Sequence, residues 1–219
     1  GIQTSNNNRF LRLWWEVEHE NIITEQNVDR KLKRWALYSK GGPYNKWYGN
    51  LWSVIDWKDD GAYLQNYLHS CGQDLHAQEY YFKEGITCSA SGSKGVSFRQ
   101  LPNKCLFDIG GSSIFLTKEV TSIKYLIGLL NSKLTFYIAD CLNPTVNVQP
   151  QDLKRIPFVK PSNEVEKCIS DLASENIEIK KQFCKYRIIE TNFEKTLFTV
   201  FPESSLSERL LSYLNYENA

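Results

Sequence analysis

Two stretches hold the residue types and spacings that suggest chemistry: KGGPYNKWYGN over 40–50 and GITCSASGSKGVSFRQ over 85–100. The first sets Lys40 and Lys46 among glycines, Pro43, the aromatic pair Trp47 and Tyr48, and the amides of Asn45 and Asn50. Lysines supply phosphate contacts, which bring affinity without sequence information. Glycine lets a backbone come close to a partner, and proline limits the conformations lost on binding. Asparagine amides match base edges, adenine being the usual partner. Trp47 and Tyr48 either brace the loop from behind or wedge against sugar and base. The second stretch offers Thr87, Ser89, Ser91 and Ser93 with Lys94 and Arg99. Hydroxyls contact phosphates and bases alike, and an arginine can read guanine through two parallel hydrogen bonds. The plainer reading makes the first a solvated basic loop and the second a flexible Ser-Gly loop.

Catalytic patterns do not accompany them. The chain has no GxGxxG or Walker loop, no HExxH, no GxSxG and no Cys-His spacing that recommends a nucleophile. Asp59 and Asp60 read as helix caps rather than a catalytic pair. His69, Cys71 and His76 match no common zinc spacing and read as a helix end, so no metal is expected. Six cysteines without a C-x-x-C pair suggest reduced, mostly buried thiols in a cytoplasmic protein. Net charge is +1, yet Arg30, Lys31, Lys33, Arg34, Lys40 and Lys46 share a stretch without an acid, so a neutral total can hide a basic face. On these grounds the chain binds a partner and transforms nothing alone.

These residues need a scaffold, and 219 residues with 42% hydrophobic and 13% aromatic content are enough for a real core. The pattern predicts an α+β fold: a twisted, mostly antiparallel or mixed sheet with packed helices, then a helical C-terminal region with one long helix. KRWALYS and LWSVIDW read as strands joined by the 40–50 loop, and AYLQNYLHS as a short helix. Four short strands follow between 80 and 117, then a buried helix over about 121–142 whose Asn131, Lys133 and Asp140 exclude a membrane span. RIPFVKP reads as a further strand. From Ser162 onward Val165, Ile169, Leu172, Asn176, Ile179, Phe183, Tyr186, Glu190 and Phe193 recur by fours and threes, a seam that would need a helix about 43 Å long. An amphipathic helix packed on its own domain fits the same pattern. Ser205 and Glu208 suggest a capping box for a last helix. The absence of methionine, position 1 included, points to a piece of a longer chain.

KGGPYNKWYGN, followed by DW at 56–57 and DG at 60–61, resembles a block of large bacterial adenine-specific DNA methyltransferases, the BREX phage-defence type above all and type IIG restriction–modification enzymes more distantly. YFKEGITCS (81–89), SFRQLP (97–102), FDIGGSSIF (107–115) and LIGLLNSKLTFYIADCLNPTVNVQPQDLKRIPFV (126–159) are similar to later blocks of that family in the same order. Related wording occurs in type I specificity subunits. GIQTSNNNRF is similar to the segment G-x-x-T-G-x-N-x-x-F that follows the methyltransferase core. Ser5 stands where the family has glycine, so a tight turn there is expected to be made differently, and Cys88 replaces a tryptophan common near that position.

The resemblance implies a target recognition domain over 11–160, a junction at 1–10 with an upstream methyltransferase domain, and a helical tail over 161–219. It implies double-stranded DNA as partner, S-adenosylmethionine and the catalytic motif in the upstream domain, and no cofactor in this segment. Gln3, Thr4 and Asn7 would lie near the junction and the extruded base, with Lys40, Lys46, Trp47, Tyr48, Asn50, Thr87, Ser89, Ser91, Ser93, Lys94 and Arg99 on DNA. The rival reading is a protein-interaction module that docks a partner subunit of the defence complex through the C-terminal helix.

Overall fold

The computed structural model describes residues 1–24, 29–89, 95–117, 121–143 and 150–218. Its fold is α+β, as the sequence pattern predicts, with the strands divided between two sheets. After one helical turn, α1 (Asn7–Phe10), the first sheet is built from β1 (Leu11–Leu13), β2 (Ile22–Ile23), β3 (Trp35–Ser39), β4 (Ser53–Asp56) and the later β7 (Cys105–Phe107). β4 lies antiparallel between β1 and β3. The opposite edge of β3 is shared: β2 runs parallel to Trp35–Ala36 and β7 parallel to Leu37–Ser39.

Side-chain alternation on these strands separates two cores. Trp35, Leu37, Val54, Cys105 and Phe107 enter one, while Ala36, Tyr38, Ile55 and Leu106 enter the other. A sheet buried on both faces needs apolar residues at successive positions, which is why WALYS and CLF lack the polar alternation of a surface strand. The second core is closed by Phe10, Trp57 and the helix α2 (Ala62–Ser70), through Leu64 and Leu68. The two aspartates expected to cap α2 do otherwise. Gly61, with φ 87°, holds the cap position, and Asp60 accepts a hydrogen bond from the Trp57 indole at 3.0 Å.

The first core is closed by a three-stranded sheet, β5 (Gly85–Cys88) between β6 (Phe98–Leu101) and β8 (Ser113–Ile114), and by helices. The helix expected over 121–142 is two helices, α3 (Ile123–Leu130) and α4 (Lys133–Leu142). Ser132 makes the break by accepting a hydrogen bond from the Thr135 amide, an N-cap that starts α4 afresh. Asn131 gives the break a use. Its Oδ1 accepts from the Phe98 amide at 3.1 Å and its Nδ2 donates to the Phe98 carbonyl at 2.9 Å, so the carboxamide stands in for a neighbouring strand at the edge of β6. Replacing Asn131 with leucine leaves the buried Phe98 amide without its acceptor, and urea unfolding should show a loss of about 2 kcal/mol.

The short helix α5 (Pro150–Lys154) is followed by an irregular stretch rather than a strand at 155–161. Ser162 then caps the long helix α6 (Asn163–Cys184), which at 22 residues is about 33 Å long, a turn or two shorter than the seam requires. The buried stripe of α6 is Ala173, Ile177 and Cys184; the helix packs on α3 at Ala173 and reaches Gly49 at Cys184. Gly128 of α3 permits this approach, since a methyl group there would stand 2.7 Å from Ile169. The expected seam is offset from that stripe: Val165, Leu172 and Ile179 are 49%, 55% and 49% exposed. The last helix, α7 (Leu206–Asn218), begins at Ser205, which accepts from the Glu208 amide and donates to the Glu208 carboxylate. No helix among the described residues is long and apolar enough to cross a membrane. The cysteines are all free thiols; Cys88, Cys105 and Cys184 are buried, whereas Cys71, Cys141 and Cys168 are exposed, fewer buried than expected.

Candidate nucleic-acid interface

The loop KGGPYNKWYGN connects β3 to β4, and most of it faces inward. Two fully buried charges hold it from opposite sides. Arg99, at 0% exposure, directs its guanidinium to the carbonyls of Gly41 and Asn45 and to Ser89 Oγ, over contacts of 3.3–3.5 Å. Glu190, also at 0%, accepts the backbone amides of Asn50 at 2.9 Å and Leu51 at 3.1 Å. The cation thus meets the loop's carbonyls and the anion meets its amides, which suits the peptide dipoles at each end. Arg99 lacks a carboxylate within hydrogen-bond reach among the described residues, and its Nε has no partner. Burial therefore pushes its pKa down to about 10.

Inside this frame the loop satisfies itself. Asn45 donates to the Tyr48 carbonyl and to Asn50 Oδ1, and Asn50 donates to the Pro43 carbonyl. Gly49, with φ 115°, admits Asn45 and Glu190 into space that a Cβ would occupy. Trp47 holds φ 76°, unusual for a bulky residue, because its amide donates to the Phe98 carbonyl and its carbonyl accepts from the Gln100 amide. Tyr48 is buried in the first core, and Lys46 donates to the Asn131 carbonyl at 2.9 Å.

Several expected contacts are thereby relocated. Arg99, Tyr48, Asn50 and Thr87 are buried and Trp47 is half-buried, so in this conformation Arg99 reaches no base. Thr87 and Arg99 face each other directly across β5 and β6, which places both side chains on the face that the loop covers. Half-buried Lys46 reaches the C-terminus of α3 through the Asn131 carbonyl. Two of the six basic residues of the stretch pair with acids from elsewhere: Arg34 with Asp56 at 2.7 Å and Arg30 with Asp60 at 3.6 Å. Ser91, Ser93 and Lys94 lie outside the described residues.

Other expected residues come together. At the C-terminal end of β3, Gln3, Thr4, Asn7 and Lys40 line one hollow of about 250 Å³ with Ser5 and Asp108. Lys40 and Asn7 also line an adjoining hollow of about 410 Å³ with Arg12, Glu16 and Ser53. Ser89 lies close by, donating to the Gly42 carbonyl at 2.7 Å. Residues 1–8, 40–44 and 89 thus meet at one end of the first sheet, where β7 also delivers Asp108, whose amide donates to the Ser39 carbonyl. Residue identities alone gave no reason to single out Arg12; its place follows from the antiparallel pairing of β1 with β4.

The N-terminal residues reach this place because Ile2 and Phe10 are core residues, and Ile2 bridges to Asp108 as an added strand position. Between them, Thr4 Oγ1 donates to Asn7 Oδ1 at 2.6 Å and Asn6 caps α1. Ser5 takes φ 55°, the left-handed conformation in which glycine is at ease, so the tight turn is made in the same way with a serine bearing the strain. Ser5→Gly should accordingly raise stability by about 0.5–1 kcal/mol in urea unfolding, the relief of strain being partly offset by unfolded-state entropy.

No protein-family profile matches the chain. Along 167 residues, 73% of its length, the chain is 34% identical to the adenine-specific methyltransferase PglX of Lacticaseibacillus casei (strain Zhang), of which it spans 14%. Along 211 residues, 95% of its length, it is 30% identical to the adenine-specific methyltransferase BrxX of Escherichia coli O9:H4 (strain HS), of which it spans 16%. The homologues of this chain are therefore adenine-specific methyltransferases, and it spans about one seventh of their length.

Proposed function

We propose that this chain is the sequence-specific, double-stranded DNA recognition domain of an adenine-specific methyltransferase in a BREX-type phage-defence system, and that it selects the adenine to be methylated. The observation that carries the reading is the convergence of Gln3, Asn7, Lys40 and Ser89 at one end of the first sheet, in a chain whose homologues are adenine-specific methyltransferases. Amides and hydroxyls that read base edges stand there beside a lysine that can hold phosphate. In this reading S-adenosylmethionine and the catalytic motif belong to the methyltransferase portion of the protein, and the reaction is cytoplasmic. Arg99 and Glu190 shape the reading surface from behind without touching DNA.

Selection of a randomised duplex library on the chain at moderate salt tests this. Enrichment of one asymmetric motif containing an adenine is the expected result; binding without sequence preference would remove target selection from this chain. Lys40→Ala should weaken binding uniformly across sequences and reduce the slope of log affinity against log salt by about 1. Asn7→Ala should instead relax preference at one base pair.

A second reading has its own observation. The seam of Val165, Leu172 and Ile179 is exposed on α6, as a docking face for a partner subunit of the defence complex would be. An apolar interface of that kind would respond little to salt, in contrast to a phosphate-dominated one.

A further inference from the structure

A cavity lies beside the polar hollows and shares Asp108 with one of them. Its volume of about 590 Å³ is in the range of small-molecule sites. One wall is aromatic. Tyr80 and Phe115 stack with centroids 4.7 Å apart and planes 22° from parallel, and Phe107 packs at 5.1 Å from Phe115. Phe115 is seated on Gly85, where a Cβ would stand 2.8 Å from its ring, so β5 carries no side chain at the point that supports the wall. Two opposite charges also line the cavity, Asp108 and Lys154. Tyr38 donates to Asp108 Oδ1 at 3.1 Å, and Oδ2 receives no hydrogen bond among the described residues.

An aromatic wall favours a planar ring. A carboxylate with a spare oxygen favours a ring that carries an amino group, and a lysine favours a phosphate. A phenylalanine side chain of a protein satisfies the first condition alone, and tyrosine or tryptophan, which can also donate to the carboxylate, lacks the phosphate. We propose that this cavity is a nucleotide site that takes one unstacked nucleotide with an amino-bearing base: the base lies against Tyr80 and Phe115, its amino group donates to Asp108, and its phosphate meets Lys154. The proposal rests on the reading that this end of the molecule faces DNA, because an unstacked nucleotide comes from a duplex opened beside the Gln3, Asn7 and Lys40 hollow.

The test is titration of the whole 219-residue chain with dAMP, dCMP and dTMP, followed through the NMR ring signals of Tyr80 and Phe115, with toluene as the apolar probe. The expected result is binding of dAMP and dCMP about fivefold or more tighter than dTMP, the worth of one hydrogen bond of about 1 kcal/mol. Asp108→Asn, which keeps an acceptor for Tyr38, should remove that preference. Lys154→Ala should weaken dAMP but not deoxyadenosine. Equal response to all three nucleotides and to toluene, or no movement of the ring signals, would overturn the site in favour of a plain apolar groove. Duplex binding measured alongside separates the two readings. Duplex binding without nucleotide binding removes the site alone, whereas nucleotide binding without duplex binding keeps the site and removes DNA recognition.

Discussion

Glu190→Ala is expected to lower the unfolding free energy by about 3–5 kcal/mol, because it strips a buried charge-assisted acceptor from two amides and leaves both without partners. The amides of Asn50 and Leu51 point at its carboxylate from the end of the β3–β4 loop, where no water reaches. The carboxylate also partly offsets the positive charge of Arg99 across the same loop. Its loss should spread in two directions. The segment around residue 190 is tied to the body by this carboxylate and by the Trp14 indole, which donates to the Ile189 carbonyl at 3.0 Å. The first of these ties would go, leaving the Trp14 contact and the bond from Asn192 Nδ2 to the Lys181 carbonyl of α6. In the other direction, residues 45–51 would lose the acceptor that holds the Asn50 and Leu51 amides beside Gly49. Urea unfolding gives the magnitude. Amide hydrogen exchange gives the place: Asn50 and Leu51 should lose protection in Glu190→Ala ahead of β3 and β4 themselves. Glu190→Gln, which keeps one acceptor and turns a donor toward one amide, should fall between wild type and alanine. A change below about 1 kcal/mol for the alanine variant would mean that the loop holds its shape without the carboxylate.

The role of Glu190 shows where sequence reading stops. In the chain it looks like a polar break in an apolar seam, and its partners lie 139 and 140 positions away. No local pattern announces such a pairing. Arg99 is a similar case. An arginine in a hydroxyl-rich strand suggests a surface reader, yet the loop at 41–45 folds over it, and only long-range packing decides which side of a strand is covered. The strand alternation itself was available: Thr87 and Ser89 share a face by their spacing of two, and so do Ser97 and Arg99. What the spacing cannot tell is that this polar face is an interior layer beneath a loop. On α6 the repeat was legible but the buried stripe was not, because Gly128 of α3 draws in Ile169 and Ala173 and turns Leu172 and Ile179 outward. The strands WALYS and SVID and the N-cap at Ser162 rest on nearby residues and were readable from sequence, but the helix break at Asn131-Ser132 was not. The break was missed because Asn131 is stabilised in it by Phe98, a partner on another element. Gln3, Thr4 and Asn7 were singled out by the resemblance of GIQTSNNNRF to a segment of the methyltransferases; that they line one hollow follows from the Thr4–Asn7 hydrogen bond and from Ile2 pairing with Asp108, which no local pattern announces.

Buried thiols set a second large effect, on alkaline stability. Desolvation pushes the pKa of Cys88 up to about 11 and those of Cys105 and Cys184 up to about 12, from an ordinary value of 9.0. A raised folded-state pKa means that the unfolded chain gives up the proton first. The stabilisation is complete below pH 9 and is lost as pH climbs from there toward the folded values. At pH 10 each thiol should have lost about 1.4 kcal/mol, so the three together should lower stability by about 4 kcal/mol relative to pH 8, a large share of what a domain usually has. The buried hydroxyls of Tyr38 and Tyr48, raised by desolvation as well, add to the loss above pH 10. Arg99 acts in the opposite sense. Its folded-state pKa is depressed, so above pH 10 the folded chain sheds that proton more readily than the unfolded one and recovers part of the burial cost. The window from pH 9 to 10 therefore reports the thiols with least interference. Urea unfolding at pH 8, 9 and 10 should show a steepening decline. In Cys105→Ala the decline should be shallower by about a third even though the starting stability is lower, since a cavity shifts the whole curve while only the thiol changes its slope. An equal slope in the two proteins would mean that Cys105 ionises as easily folded as unfolded, and that the first core admits water at β7.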